Sequence, residues 1–168
     1  MLKIFKILSA FLFVSLLAAC GGKKEVSALE QAQAVQAAGE AGRANFVGNY
    51  AAAEKAFARA TSLNPNNADY WYNLGIARVR IKDKPGAKSA FKSVISVCED
   101  AFKKDPKNPA WLTKQIPPLL MLGRADEARS LVDKAAKLFP NDPNVRAFKE
   151  QKLIDQLLND PLLKAFSS

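Results

Sequence analysis

The sequence contains no histidine and only two cysteines. The absence of histidine removes the commonest acid–base side chain and the commonest metal ligand, so a histidine-based triad or metal site is excluded. Neither paired-cysteine metal spacing, nor a phosphate-binding glycine loop, nor a G-x-S-x-G turn is found in the chain. These absences leave binding or structural roles as the main classes to consider.

Acidic residues are absent from residues 1–19, which are mostly apolar. Lys3 and Lys6 precede an uncharged run from Ile7 to Leu17, which is shorter than the roughly 20 residues that a membrane-spanning helix needs. This arrangement predicts a signal peptide over residues 1–19. The formal charge of +9 for the whole chain includes both of these lysines, so the remainder has an ordinary basic excess.

The predicted signal peptide ends in the sequence LAACG, which spans Leu17 to Gly21. This sequence resembles the lipobox of bacterial lipoproteins, and the resemblance implies that the Cys20 thiol receives a diacylglyceryl group before cleavage and further acylation. Glycine rather than aspartate follows the cysteine, which by the same resemblance implies the outer membrane, with the protein facing the periplasm. Residues 20–27 then form a flexible tether. The alternative is ordinary secretory cleavage that leaves Cys20 as a thiol.

The other cysteine, Cys98, shares a helical spacing with Phe91, Val94, Ile95 and Phe102. A cysteine on such an apolar stripe is typical of a small buried core residue. The alternative is a reactive thiol, which fast labelling of the native protein would reveal.

Short motifs recur along the rest of the chain at a spacing of 34 residues. Ala53 and Phe57 in the first copy correspond to Ala87 and Phe91 in the second. A third copy begins at Gly123 with the run GRADEA. Self-similarity at this period indicates stacked helical hairpins, because each hairpin buries its apolar face only against a neighbour.

The second copy opens with Trp71, Leu74 and Gly75, and here the sequence resembles the tetratricopeptide repeat (TPR) family. That family has the pattern W-x2-L-G-x2-Y, then A-x3-F, then P. The resemblance covers residues 34–142 and implies an all-α fold. We therefore predict a TPR helical-hairpin solenoid of about three repeats over residues 28–142.

Two departures from the repeat pattern carry structural predictions. The offset from Ala87 to Ala128 is 41 residues rather than 34, which predicts that the second helix of repeat two is longer by about two turns and projects beyond its neighbours. Pro117 and Pro118 interrupt the first helix of repeat three, so we predict a kink or restart near Ile116. This break either opens the groove locally or is tolerated without a functional effect.

The C-terminal segment, residues 143–168, is predicted to be a capping helix with a tail, because the end of a solenoid needs a cover. Val145, Phe148, Leu153 and Leu157 give it an apolar stripe. The alternative is a helix for dimerisation or partner binding.

Local capping signals set the helix boundaries. Ser27 and Glu30 have the spacing of a capping box, and an Asn-Pro or Asp-Pro pair marks the start of three later helices. No strand pattern competes with this assignment. The predicted helices cover residues 28–46, 50–62, 68–81, 85–104, 109–122, 125–138 and 143–158, with a short one at 161–166.

TPR domains similar to this one bind extended peptides or helices in a concave groove lined by the first helix of each repeat. An aromatic side chain beside an amide and a cation suits a peptide backbone and an acidic group. The alternative is that Tyr72 and Ile76 do not contact a ligand and only pack against the neighbouring repeat. Ala38 and Gly42 stand where the carboxylate clamp of chaperone-binding members has Lys and Asn, which disfavours cytosolic chaperone tails. The predicted groove residues are Asp69, Tyr72, Asn73, Ile76, Arg80 and Lys114.

Lipobox, repeat and missing catalytic motifs together predict a membrane-anchored scaffold or adaptor that is not an enzyme and needs no cofactor or metal. Its partners are the lipid bilayer and an envelope protein or peptide, in the assembly of an outer-membrane, pilus or secretion complex. A nucleic-acid partner is not predicted, because the sequence has no array of basic and aromatic residues. One alternative is a peptidoglycan- or glycan-active enzyme or its accessory subunit, and another is binding of anionic lipid through the basic surface. The acids available to an enzyme lie in polar stretches typical of solvated helix faces: Glu54, Asp83, Asp126, Glu127 and Asp133.

Overall fold

The computed structural model describes residues 25–150 and 153–167, and its regular structure there consists of helices alone. The predicted signal peptide and Cys20 lie outside the described residues. Among those residues, no helix combines the length and the apolar character needed to cross a bilayer. The helices are α1 (Ala28–Phe46), α2 (Tyr50–Leu63), α3 (Ala68–Arg80), α4 (Lys84–Lys104), α5 (Ala110–Thr113), α6 (Ile116–Met121), α7 (Ala125–Leu138), α8 (Pro143–Glu150), α9 (Leu153–Leu158) and α10 (Pro161–Ser167).

The predicted capping signals start the helices where the sequence places them. The Glu30 backbone N–H donates to Ser27 Oγ over 3.2 Å, and the Ser27 N–H donates to Glu30 Oε2 over 3.0 Å, which completes the capping box. Asp142 Oδ1 accepts from the Val145 N–H over 2.9 Å, and Asp160 Oδ1 accepts from the Leu162 N–H over 2.7 Å. Each bond satisfies a donor that the first turn of a helix leaves without an intrahelical partner.

The three repeats place equivalent residues in equivalent buried positions. α1 packs on α2, and α3 packs on both α2 and α4, as a stack of hairpins requires. The predicted all-α TPR-type helical-hairpin fold is confirmed. The small and large residues of the repeat motif are at most 7% exposed in each second helix: Ala53 and Phe57 in α2, Ala87 and Phe91 in α4, and Ala128 and Val132 in α7.

Helix α4 has the predicted extra length. It contains 21 residues, whereas α2 and α7 contain 14 each. Its last turns are not a free edge, because Phe102 packs beside Leu112 and Val145, and Lys134 Nζ lies 5.1 Å from the centre of the Phe102 ring. Cys98 is fully buried in the same helix, so the prediction of a core residue is confirmed.

The first helix of repeat three is broken into α5 and α6, which confirms the predicted restart near Ile116. The two prolines fall in the first turn of α6, where a missing N–H costs no intrahelical bond. Lys114 and Gln115 lie between the pieces, and the Gln115 side chain donates from Nε2 to the Trp111 carbonyl over 2.6 Å. The helix predicted as continuous over residues 109–122 is therefore two short helices.

The C-terminal helices cover the end of the solenoid and then turn back. Ile154 of α9 is buried with Ile116, Leu119 and Val132, and it is more deeply buried than Leu153 of the predicted stripe. Helix α10 continues past this end to α6 and the second repeat, where Phe166 is buried against Phe91. The sequence indicated an end cover for this segment, and the structure adds this contact with the second repeat.

Candidate functional site

The predicted groove residues lie along α3, whose start is fixed by the turn before it. Asn67 caps the helix, and its Oδ1 accepts from the Asp69 N–H over 2.9 Å and the Tyr70 N–H over 3.2 Å. Gly75, in the middle of α3, has no side chain to separate it from the ring of Phe91. This close approach ties α3 to α4 and fixes the direction in which the groove side chains point.

An apolar cluster between the second and third repeats surrounds the side chain of Phe166, and we call the space that this side chain fills the α3–α6 pocket. Its walls come from Tyr72 and Ile76 of α3, Ala87 and Phe91 of α4, and Met121 of α6. The centres of the Tyr72 and Phe91 rings are 6.1 Å apart, with the rings tilted by 53°. The structure thus joins Tyr72 and Ile76, two of the predicted groove residues, in one pocket.

The side chain of Phe166 occupies the α3–α6 pocket. Phe166 is 6% exposed, and its ring meets the Phe91 ring edge to face, at 6.1 Å between centres and an angle of 81°. Lys84 Nζ lies 5.9 Å from the centre of the Phe166 ring. Both contacts favour an aromatic side chain at this place, because a ring offers a positive edge and a negative face.

Asp69 and Lys114, two other predicted residues, form an ion pair. Lys114 Nζ lies 2.7 Å from Asp69 Oδ2 and 2.8 Å from Oδ1, which connects α3 to the residue that follows α5. Both side chains are partly open to solvent, so the pair contributes little to stability. The pair links repeats two and three at the edge where they meet.

The remaining two predicted residues have local roles. Asn73 is exposed and donates from Nδ2 to the Asp69 carbonyl over 2.8 Å, within its own helix. The guanidinium of Arg80 lies 5.5 Å from the centre of the Tyr50 ring, at the boundary with repeat one. The six predicted residues therefore divide between a pocket, an ion pair, an exposed amide and a contact with repeat one.

The part of the groove that belongs to repeat one is open and shallow. Positions 34 residues before Tyr72, Ile76 and Arg80 are Ala38, Gly42 and Phe46. A Cβ atom on Gly42 would meet no atom within 4 Å, and Phe46 is 91% exposed. A floor of small residues beside an exposed ring is a surface on which a peptide can lie.

The environment of Tyr72 disfavours its ionised form. Burial raises the pKa of the Tyr72 phenol, and the negative charge of Asp160, at the start of α10, raises it further. A phenol that stays neutral acts as a hydrogen-bond donor and as an apolar surface. It is not suited to act as a base near neutral pH.

Two of the five candidate acids, Glu54 and Glu127, are paired with arginines. Groups of three or more metal-ligating side chains are absent from the part of the chain that the structure describes. The prediction that all five candidate acids are solvated is wrong for Glu54, which is mostly buried and accepts from Arg78 Nε over 3.0 Å. The pKa of Glu127 is lowered, chiefly by its hydrogen bond from Arg124, which keeps this carboxylate ionised.

Sequence reasoning missed the residues that fill and line the pocket from outside α3. Phe166, Met121 and Lys84 carry no motif, and the spacing of Leu163 and Phe166 is the one local signal that could have indicated an apolar helix face in the tail. Their proximity to Tyr72 depends on the path of α10, which no local pattern specifies.

Comparison with known proteins agrees with the observed fold. A family model described as "Tetratricopeptide repeat" matches residues 46–109. No curated protein sequence matches the chain.

Among solved structures, the Yersinia enterocolitica type III secretion chaperone SycD in complex with a peptide of the translocator YopD is 19% identical, with a TM-score of 0.51, and the match covers 84% of this chain and 100% of that one. The first TPR of Spaghetti (RPAP3) bound to an HSP90 peptide is 17% identical, with a TM-score of 0.50, over 80% of this chain and 98% of the other. The chain is thus similar to TPR domains in its helical-hairpin fold.

Proposed function

We propose that this protein is a lipid-anchored TPR scaffold that binds an envelope protein or peptide along the groove formed by α1 and α3. The observation that carries the proposal is the alignment of equivalent positions in the two repeats. By the 34-residue register, Ala38, Gly42 and Phe46 of α1 are the equivalents of Tyr72, Ile76 and Arg80 of α3. An extended or helical segment laid along the line of these positions contacts both repeats at once.

Two solved structures of the same fold motivate a peptide as the ligand. In one, SycD holds a peptide of the translocator YopD, and in the other, a TPR of Spaghetti holds an HSP90 peptide. Asn73 and Arg80 offer a side-chain amide and a cation at the open part of the groove here, which suits a peptide backbone and an acidic group.

The lipobox supports attachment to the membrane through Cys20. Helix α1 begins directly after Ser27, so only residues 21–26 separate the anchor from the capped helix. Six residues span at most about 20 Å when extended, which keeps the groove close to the lipid surface. We propose the outer membrane, with the groove facing the periplasm, and a role in assembling an outer-membrane, pilus or secretion complex.

The absence of a metal-ligand group among the described residues supports binding rather than catalysis. Glu54 is held by Arg78, and Glu127 by Arg124.

Site-specific photo-crosslinking in intact cells tests the groove. A photoreactive amino acid is placed at Asn73 or at Phe46, both exposed along the proposed line, and at Lys92, an exposed residue of the second helix of repeat two, as the control. We expect the same crosslinked partner from the first two positions and none from Lys92. A partner captured equally well at Lys92, or only there, would contradict the groove assignment.

The anchor is tested separately by Cys20→Ser. We expect the protein to leave the outer-membrane fraction, because the acyl chains supply its affinity for that membrane. A variant that stays in the outer-membrane fraction would rule out anchoring through this cysteine.

A further inference from the structure

Helix α10 occupies the α3–α6 pocket as a ligand would. It is a separate seven-residue helix that follows Asp160, and it lies against α6 and α9. Its buried anchor is Phe166, whereas Pro161, Lys164 and Ala165 are exposed. Phe166 is thus the most deeply buried side chain of the helix, and the partly buried Leu163 packs beside it.

We propose that α10 is an intramolecular occupant of the α3–α6 pocket and that the partner displaces it with an amphipathic helix carrying its own aromatic anchor. This inference rests on the proposed function, since it names the kind of partner that the groove takes. The anchor is an aromatic residue with a leucine three positions before it, as Leu163 precedes Phe166 in α10.

The pocket selects an aromatic residue by three contacts. The edge-to-face contact with Phe91 needs a ring, and Lys84 lies where it faces that ring at 5.9 Å. Tyr72 and Met121 close the sides. A leucine or methionine fills the same volume without the attraction to the cation, so an aliphatic anchor binds more weakly.

Release of α10 does not require the hairpins to open. The helix has seven residues, and isolated helices of this length are marginal in water. The clusters between α1 and α4 and around α6 and α7 contain no residue of α10 except the partly buried Leu163, and Phe166 belongs to one further cluster, with Phe91 and Met121. A partner thus competes with a local contact and not with the whole fold.

Release of α10 would open the pocket to a partner, because repeat three lacks a continuous first helix. The break at residues 114 and 115 separates α5 from α6. The two pieces pack mainly on α4 and α7, and the space beside Tyr72 and Ile76 is closed by α10. The proline pair therefore has a consequence for binding, since it leaves a site that a separate helix can enter.

Competition with a synthetic peptide tests this proposal on the purified full-length protein. The probe is the peptide of residues 159–168, titrated into the wild type and into Phe166→Ala, with binding followed by NMR shifts of amides around Ala87 and Met121. The matched control is Leu29→Ala, which removes an exposed apolar side chain near the start of α1. A second peptide carries alanine in place of its phenylalanine.

We expect Phe166→Ala to bind the peptide at least about tenfold more tightly than the wild type, because a tethered competitor acts at an effective concentration of about a millimolar. Leu29→Ala matches the wild type, and the alanine peptide does not bind. Phe166→Leu, a milder change in case Phe166→Ala fails to fold, gives a smaller gain of about threefold. Equal affinities for the wild type and for both Phe166 variants overturn the proposal.

Two further results would also overturn the proposal. Cooperative loss of the whole fold in both Phe166 variants makes α10 a core element and overturns the proposal. A wild-type dimer that disappears in Phe166→Leu shows that α10 of a second copy fills the pocket, which overturns the intramolecular arrangement. Crosslinking at Asn73 is independent of these outcomes, so a scaffold without a displaceable α10 is distinguishable from a chain that binds nothing in its groove.

Discussion

Arg78 and Glu54 join the first and second repeats through a hydrogen-bonded ion pair. Arg78 Nε donates to Glu54 Oε1 over 3.0 Å, and the same guanidinium donates from Nη1 to the Gly86 carbonyl over 3.2 Å. Arg78 stands where the TPR pattern has a tyrosine. Its side chain connects α2, α3 and α4. An ion pair and a hydrogen bond therefore join the helices where the pattern has a tyrosine.

Arg78→Ala is expected to lower the free energy of unfolding by about 2 kcal/mol, because Glu54 and the Gly86 carbonyl lose a charged donor in a mostly buried position. Arg59→Ala is the control, since Arg59 forms an exposed pair with Glu40 at 3.9 Å and its loss costs less than about 0.5 kcal/mol. Urea unfolding measures both. Equal losses in the two variants would argue against a structural role for the Arg78 pair.

Gly75→Ala is expected to destabilise the protein by about 1–3 kcal/mol through overpacking. A Cβ atom at this position would lie 2.5 Å from Phe91 Cε1, and Phe91 is fully buried and has little room to move. Gly42→Ala is the matched control, because nothing lies within 4 Å of its Cβ position, and it should stabilise α1 by about 0.5–1 kcal/mol. Thermal unfolding of both variants tests the opposite signs.

The repeat could be predicted from the sequence because its signals are local or strictly periodic. Ser27 and Glu30 specify a capping box by their spacing alone, and Ala87 with Phe91 repeats Ala53 with Phe57. Each of these patterns reflects contacts within a hairpin or with the next one. The extra turns of α4 follow from the same counting.

The pocket could not be predicted because its residues come together through the tertiary path of the tail. Phe166 lies 75 positions after Phe91, and no period relates the two. Ile76 was predicted as a groove residue from its register position, which is correct for the helix face but says nothing of what lies against it. Glu54 was misplaced for the same reason, since its partner Arg78 belongs to another helix.

Trp71 and Trp111 are expected to differ in their sensitivity to replacement by phenylalanine. Trp71 Nε1 donates to the Pro65 carbonyl over 2.8 Å, whereas the buried Trp111 Nε1 finds no acceptor among the described residues. Trp71→Phe removes a hydrogen bond and leaves a carbonyl without its donor, so it should cost about 1 kcal/mol more than Trp111→Phe. Urea unfolding gives the comparison, and a larger loss for Trp111→Phe would mean that its indole N–H has a partner after all.

The stability of the protein should fall at high pH through Tyr72. Burial, and then the charge of Asp160, raises the pKa of the Tyr72 phenol in the folded state above its usual value of 10.0. The unfolded chain therefore loses this proton at a lower pH than the folded chain does. The resulting stability is fully present below pH 10 and is lost as the pH rises through the folded pKa. Unfolding measured at about pH 9 and about pH 11 should show a smaller decrease for Tyr72→Phe than for the wild type.

Titration of Tyr72 also reports whether α10 covers the pocket. Phe166→Ala should lower the pKa of Tyr72 toward its usual value, because water then reaches the phenol and burial is the main cause of the shift. Asp160→Asn, which removes only the nearby charge, should lower the pKa by a smaller amount. The ultraviolet absorbance of the tyrosinate, taken as the difference between each variant and its Tyr72→Phe counterpart, isolates this group from Tyr50 and Tyr70. A pKa of Tyr72 that is unchanged by Phe166→Ala, with the helices intact by circular dichroism, would mean that the hairpins alone bury the phenol.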